Sequence, residues 1–159
     1  MQISVRPATR ADLPSVLSLL RELAQFEGKL DQVEASEARL NEYAFGPRAC
    51  IEMLVGSACG IDVSYALFFP HFASFRALPW LYLEDLYVQP QARGSGVGRA
   101  MMRALAKLVQ DREWAGMAWG VLDWNEAAFH FYERLGAQRS NGHVGMELSG
   151  APLERLTAG

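Results

Sequence analysis

The stretch Leu81-Tyr-Leu-Glu-Asp-Leu-Tyr-Val-Gln-Pro-Gln-Ala-Arg-Gly-Ser-Gly-Val-Gly-Arg-Ala100 leaves little choice of local fold: a strand, a loop, and a helix that begins among three glycines. Tyr82, Leu83, Leu86, Tyr87 and Val88 suit a mostly buried strand. Pro90 cannot donate to a ladder and should end it. From Val97 the spacing turns helical, with Val97, Met101, Ala104, Leu105 and Leu108 on one face and Arg99, Arg103 and Lys107 on another. Arg93, Gly94, Ser95, Gly96, Val97 and Gly98 therefore fall between a strand end and a helix start. Glycines there permit positive φ and a close approach to the backbone. The first amides of a helix have no partners within it, and its dipole favours an anion. Such a loop can seat a pyrophosphate, or it can simply make a tight turn. It lacks the Gly-x-Gly-x-x-Gly spacing of dinucleotide folds and the Gly-Lys-Ser/Thr of a P-loop.

Around this stretch the chain alternates helix and strand signals. Ile3 and Val5 suggest a first strand ended by Pro7. A helix is expected from about Leu13 to Glu27, with Leu13, Val16, Leu17, Leu20, Leu23 and Ala24 inward. Asp12 is its best N-cap, since Pro14 then lies in the first turn; Thr9 is the alternative. A shorter helix should run from Gln32 to Phe45, closed by Gly46-Pro47. Ile51 to Val55 and Ile61 to Phe69 read as strands about a turn at residues 56–60, and the aromatic segment from Pro70 to Pro79 as a loop. Gly116 to Leu122 should be a strand, Asn125 the cap of a helix to Leu135, and Gly136 its stop. A short last strand is expected from Val144 to Leu148, with a loosely specified end from Gly150. The order βααβββαβαβ predicts a mixed α/β sheet with helices on both faces.

The 159 residues suit one domain, 1–159, with a single core. The net charge of −3 and the lack of a basic run argue against nucleic acid as a partner. Neither a signal peptide nor a membrane span is evident, so no membrane association is expected and the cytoplasm is the expected compartment. Cys50 and Cys59 read as two small buried hydrophobes. His71, His130 and His143 are scattered and suggest no metal site, and Trp80, Trp114, Trp119 and Trp124 read as packing.

The loop Arg93-Gly-Ser-Gly96-Val-Gly98 matches the Arg/Gln-x-x-Gly-x-Gly/Ala signature of the GNAT acetyltransferase superfamily. Arg21-Glu-Leu-Ala-Gln-Phe-Glu27 with Asp31-Gln-Val33, Tyr82-Leu-Glu-Asp-Leu-Tyr-Val88, Val121-Leu-Asp-Trp-Asn125 with Phe131-Tyr132, and Leu135-Gly-Ala-Gln138 extend the match. Together they resemble the diamine acetyltransferase branch, which includes spermidine/spermine and thialysine enzymes. The resemblance covers about residues 3–138. It implies a mostly antiparallel, twisted sheet of six to seven strands with splayed central strands. It also implies acetyl-CoA as cosubstrate, a small primary amine as acceptor, direct transfer in a ternary complex, and a homodimer.

By the same resemblance, backbone groups of Leu86, Tyr87 and Val88 would hold the cofactor arm. Arg93, Gly94, Ser95, Gly96, Val97 and Gly98 would cradle its pyrophosphate, with Arg99 as counter-charge, and Asn125 would touch the pantetheine. Glu84 would be the base, acting through water, and Asp85 a substrate contact. Read from the strand alone, these adjacent carboxylates point to opposite faces, or merely solvate an edge. Tyr132 lies seven residues after Asn125, on the same helix face. Periodicity allows a core tyrosine there, whereas the resemblance makes it the general acid. The branch often carries a Glu-Gly-Trp stretch near its C-terminus, where this chain has Gly142-His-Val-Gly-Met146. Losing that carboxylate and indole weakens the case for polyamine specificity, and leaves a diamine, a polyamine or a thialysine-like amino acid as the expected cationic acceptor. Two rival readings of the same residues are an acetyl-CoA-binding module with little catalysis and a protein N-acetyltransferase.

Overall fold

The computed structural model describes residues 2–140 and 145–157. The chain divides into two compact units, Met1–Gly120 and Val121–Gly159. In the first, β1 (Ile3–Pro7), β2 (Glu52–Ala58), β3 (Ile61–Ala73), β4 (Leu78–Val88) and β5 (Met117–Trp119) form a sheet in the order β1-β2-β3-β4-β5. The first four pair antiparallel, and β5 joins β4 in parallel. This is a mixed, mostly antiparallel sheet. Its helices are α1 (Leu13–Phe26), α2 (Glu37–Phe45) and α3 (Val97–Asp111).

Strand alternation decides which helix covers which face. Met53, Val55, Tyr65, Leu67 and Tyr87 share a core with Leu13, Val16 and Leu17 of α1 and Leu40 of α2. Gly56 and Ser64 point the other way, toward α3. A Cβ added at Gly56 would come within 2.8 Å of the Met101 sulfur, so α3 packs directly on that face. Helices thus cover both faces, as the element order required.

Asp12 stands at the N-cap of α1, yet its carboxylate turns back. It accepts from Arg6 at 2.7 and 2.8 Å and from the Thr9 amide and hydroxyl at 2.7 and 2.8 Å. The Arg6 guanidinium holds this carboxyl well below the usual carboxylate range. Thr9 caps a short 3₁₀ turn, Arg10–Asp12, so both cap candidates are used in succession.

Several boundaries differ from expectation. The second helix begins only after Ser36, whose hydroxyl accepts from the Arg39 amide, and Leu30–Gln32 is a separate 3₁₀ turn. The turn between β2 and β3 is the pair Cys59-Gly60, both at positive φ (52° and 81°), the hairpin geometry that matches strand twist. Cys50 and Cys59 are exposed and unbridged, not buried: one lies in the α2–β2 connection, the other in this turn. Residues 70–79 are mostly strand, because β3 and β4 continue as a ribbon with its tip at residues 74–77. The sheet has five strands among the described residues, not six or seven. β5 is shorter than the expected 116–122, residues 145–148 form no strand, and Val144 lies outside the described residues.

The second unit contains α4 (Glu126–Glu133) and α5 (Gly150–Thr157). Asn125 caps α4 as expected, its side chain accepting from the Ala128 amide at 3.1 Å. Gly136 follows at φ 91°. The helix α5 occupies the end that the sequence left loosely specified, with Pro152 in its first turn, where a missing donor costs little. No helix among the described residues is long and apolar enough to cross a membrane.

Candidate active site

A β-bulge governs the centre of β4. Phe68 pairs with Leu83 and Leu67 with Asp85, which leaves Glu84 as the extra residue. A bulge shifts the alternation of backbone groups by one. Before it, the Leu81 amide points toward the β5 side, donating to the Gly116 carbonyl at 2.9 Å. After it, the Gln89 amide points toward β3, donating to Val63 at 2.9 Å. Leu86 and Val88 therefore turn their backbone groups toward the β5 side. There β5 has stopped: its pairing covers only Leu81 to Leu83. The two strands part after three residues, and the second half of β4 presents an edge without a ladder partner from β5. An extended ligand can dock on such an edge by main-chain hydrogen bonds.

The bulge also interrupts the simple opposition expected of Glu84 and Asp85. Glu84 is exposed, while Asp85 is half-buried and its carboxylate accepts from the Tyr65 hydroxyl at 3.0 Å. Burial raises the Asp85 pKa to about 6, assisted by repulsion from Glu84 and Glu27 and opposed by the Tyr65 hydrogen bond. Glu27 comes from the end of α1, where it also pairs with Lys29 at 3.3 Å, so carboxylates from two elements bear on Asp85. Burial and the neighbouring carboxylates push the Tyr65 phenol far up, keeping it a donor. Tyr65 and Glu27 had no assigned role in the sequence reading. Their separation of 38 positions gives no local spacing signal: the pairing of β3 with β4 brings Tyr65 to Asp85, and the end of α1 brings Glu27.

Beyond β4 the chain makes a 3₁₀ turn, Pro90–Ala92, and enters the glycine loop. Gly94 and Gly96 adopt φ of 75° and 99°, in the region that favours glycine. A Cβ at Gly94 would meet nothing within 4 Å, and one at Gly96 would meet only the Ile3 methyl at 3.6 Å. The loop is thus open above its backbone. Gly96 is the N-cap of α3, a helix of 15 residues, so its unsatisfied first amides and dipole face that opening. Arg99 is exposed in the first turn. Ser95 turns inward and donates to Ala92. Arg93 leans back on the strand end, its Nε donating to the Val88 carbonyl at 3.0 Å and its guanidinium over the rings of Phe26 and Tyr87. These residues fit a pyrophosphate by their chemistry.

In the second unit, Tyr132 lies on α4 with its ring edge-on to Phe131, centroids 5.1 Å apart. Burial pushes its phenol up to about 12, so it carries its proton throughout the physiological range. Asn125 uses its Oδ1 on the helix cap, and its amide Nδ2 is the end suited to a ligand carbonyl. Among the described residues no group of three or more His, Cys, Asp or Glu could hold a metal.

A strand edge released beside carboxylates and running into an open glycine loop at a helix start can receive an extended ligand that ends in phosphates. The chain belongs to the Acetyltransferase (GNAT) family, which it matches over residues 17–137, and it is an N-acetyltransferase. It is 35% identical over 144 residues to the thialysine N-epsilon-acetyltransferase of Bos taurus, spanning 86% of this chain and 84% of that one. It is 38% identical over 78 residues to an L-ornithine N5-acetyltransferase of Arabidopsis thaliana, spanning 49% of this chain and 34% of that one. Among solved structures it is similar in fold to an integron cassette protein from the mobile metagenome of V. cholerae, at TM-score 0.83 and 20% identity. That likeness spans 100% of this chain and 99% of the other.

Proposed function

We propose that this enzyme transfers the acetyl group of acetyl-CoA to a side-chain amine of a small diamino acid or diamine, by direct attack in a ternary complex. The observation that carries the acceptor class is the convergence of Glu84, Asp85 and Glu27 on the bulged part of β4. Asp85, partly buried and facing the exposed Glu84 and the Lys29-paired Glu27, favours a cation and gains more from it than it would in water. The relatives' names agree: each of the two enzymes acts on the terminal nitrogen of a lysine-like or ornithine-like amino acid. The family match runs from 17 to 137 and so crosses the boundary at residue 120, which supports one GNAT domain.

Acetyl-CoA, when bound, supplies an activated acetyl group; the rest is done by side chains and backbone. The backbone of Leu86 and Val88 holds the extended arm at the edge that β5 leaves; that of Tyr87, expected to share the task, instead faces β3, with its carbonyl accepting from Ser64. The loop from Arg93 to Gly98 takes the pyrophosphate, Arg99 adds a counter-charge, and Asn125 steadies the pantetheine. Glu84, exposed to water at the bulge, removes the ammonium proton through a water molecule. Asp85 holds the acceptor's second charge. Tyr132, whose role rests on the family resemblance, protonates the departing thiolate. The working form is taken to be a homodimer, a reading that suits the exposed Leu153 and Leu156 of α5.

Release of CoA thiol from acetyl-CoA, measured against a diamine, spermidine, a lysine-like amino acid and a neutral monoamine, tests this reading. The lysine-like acceptor should be best. Asp85→Asn should cost about ten- to hundred-fold in acceptor kcat/KM, the range for a hydrogen bond to a charged group, while KM for acetyl-CoA stays put. A neutral monoamine that proved the best substrate, with no effect of Asp85→Asn, would refute the cationic acceptor.

The pH profile gives a second check. Asp85 binds a cation only when ionised, so acceptor kcat/KM should fall as pH drops through about 6. Burial sets this limb first, opposed by the Tyr65 hydroxyl from β3 and assisted by Glu84 from β4 and Glu27 from the end of α1. The Tyr65 hydroxyl stabilises the ionised form, so Tyr65→Phe should move the limb to higher pH by about one unit. A limb unmoved in that variant would detach it from Asp85.

A further inference from the structure

The segment Arg21-Glu-Leu-Ala-Gln-Phe-Glu27 contributes Glu27 to the acidic group, yet its second residue serves another purpose. Glu22 lies half-buried on α1 and uses both carboxylate oxygens. Oε2 accepts from the Tyr87 hydroxyl at 3.2 Å, and Oε1 accepts from the Gln89 side-chain amide at 2.8 Å. The same amide group's oxygen accepts from Gln91 at 2.9 Å. Tyr87 and Gln89 flank Val88, whose carbonyl takes the Arg93 Nε. The Arg93 guanidinium covers the Tyr87 ring at 5.8 Å and the ring of Phe26, one helical turn beyond Glu22, at 5.2 Å. Ser64, fully buried, donates to the Tyr87 carbonyl at 2.6 Å from the opposite side.

We infer that Glu22 is a positioning residue for acetyl-CoA: it clamps α1 to the end of β4 and so fixes both Val88 and the entry to the glycine loop. The inference rests on the loop being the pyrophosphate seat. Its logic is one of donor counting. Tyr87 and Gln89 both offer hydrogens, and Arg93 adds a positive charge beside the Tyr87 hydroxyl. Only a carboxylate can accept from both and complement the third. A glutamine at this position keeps the volume but turns one acceptor into a donor. The Tyr87 hydroxyl can turn to accept from that amide, but both bonds are then between neutral groups, the charge facing Arg93 is gone, and the clamp loosens. The residues that move are those at the strand edge and loop entry, and preorganised backbone groups are what a long, flexible ligand arm most needs. The acidic group around Asp85 uses different atoms and should not feel the change.

Steady-state kinetics on the enzyme test this. Glu22→Gln should raise KM for acetyl-CoA about ten-fold, with kcat at saturating acetyl-CoA and acceptor KM within about two-fold of the parent. Glu22→Asp, which keeps the charge on a shorter arm, should recover part of the loss. Tyr87→Phe should weaken acetyl-CoA in the same direction, and the double variant should be less impaired than the product of the two singles, because both open the same clamp. Equal losses for both substrates, tracking a fall in melting temperature, would make Glu22 a residue of the fold only and overturn the inference. So would an unchanged KM for acetyl-CoA in Glu22→Gln. A parent that never saturates with acetyl-CoA would instead bring down the cofactor reading, and this inference with it.

Discussion

Tyr132→Phe is expected to lower kcat by about 10²–10⁴-fold, the usual worth of a general acid, with acetyl-CoA affinity nearly unchanged. The phenylalanine keeps the ring that packs edge-on to Phe131, so α4 should retain its stability. What disappears is the proton. A thiolate leaving without one must be expelled as a charged group into a partly desolvated site. With the phenol pushed up to about 12 by burial, the group is protonated at every pH where the enzyme would be assayed. Its loss should therefore lower the rate without moving the acidic limb set by Asp85. The measurement is pre-steady-state turnover, so that chemistry and product release are separated. Unchanged single-turnover rates would return Tyr132 to a packing role.

What the sequence made legible, and what it hid, follows from how local each determinant is. The passage from β4 through the loop into α3 was fully readable. Pro90, the glycines and the apolar spacing from Val97 act within a few residues of one another, and no distant contact can overrule them. The cap of α4 was readable for the same reason: Asn125 bonds to an amide three residues on, whereas the Ser36 cap of α2 was missed. The bulge at Glu84 was not. No glycine or proline marks it, and it exists because β3 and β4 must keep register on both sides of a one-residue surplus. Yet it is the feature that sends the backbone of Leu86 and Val88 to the open edge and lets Glu84 stand beside Asp85.

The ribbon at residues 69–82 misled for an instructive reason. Pro70 and Pro79 are strand breakers where ladder donors are needed. Here β2 stops pairing at Phe68, so the outer side of β3 is already an edge at Pro70. Pro79 comes before the β4–β5 ladder begins at Leu81. Neither missing donor is required. Glu27 and Tyr65 escaped because their meeting with Asp85 is tertiary. Of α5 the sequence did hold a signal, Pro152 followed by Leu153 and Leu156 at helical spacing, which the absence of a long apolar stripe obscured.

The glycine loop permits a test in which the free protein and its complex respond in opposite senses. Gly96 sits at φ 99° and caps α3, so any side chain there bears backbone strain. Asparagine and aspartate tolerate that region best and are nearly isosteric, so Gly96→Asn and Gly96→Asp carry the same strain. They differ by one negative charge at a helix N-terminus, where it favours the helix by about 0.3–1 kcal/mol. Without ligand, Gly96→Asp should therefore melt no lower than Gly96→Asn. A pyrophosphate must approach the same amides, and the carboxylate both occupies its place and repels it. At acetyl-CoA one hundred times the parent Kd, linkage stabilises the parent by about 2.7 kcal/mol, a rise of roughly 5–10 °C for a chain of this size. Gly96→Asn should keep a reduced rise. Gly96→Asp should keep none that differential scanning fluorimetry can resolve. If the aspartate variant rose as far as the asparagine one, charge at the start of α3 would be irrelevant to binding, and the pyrophosphate would have to sit somewhere other than this loop.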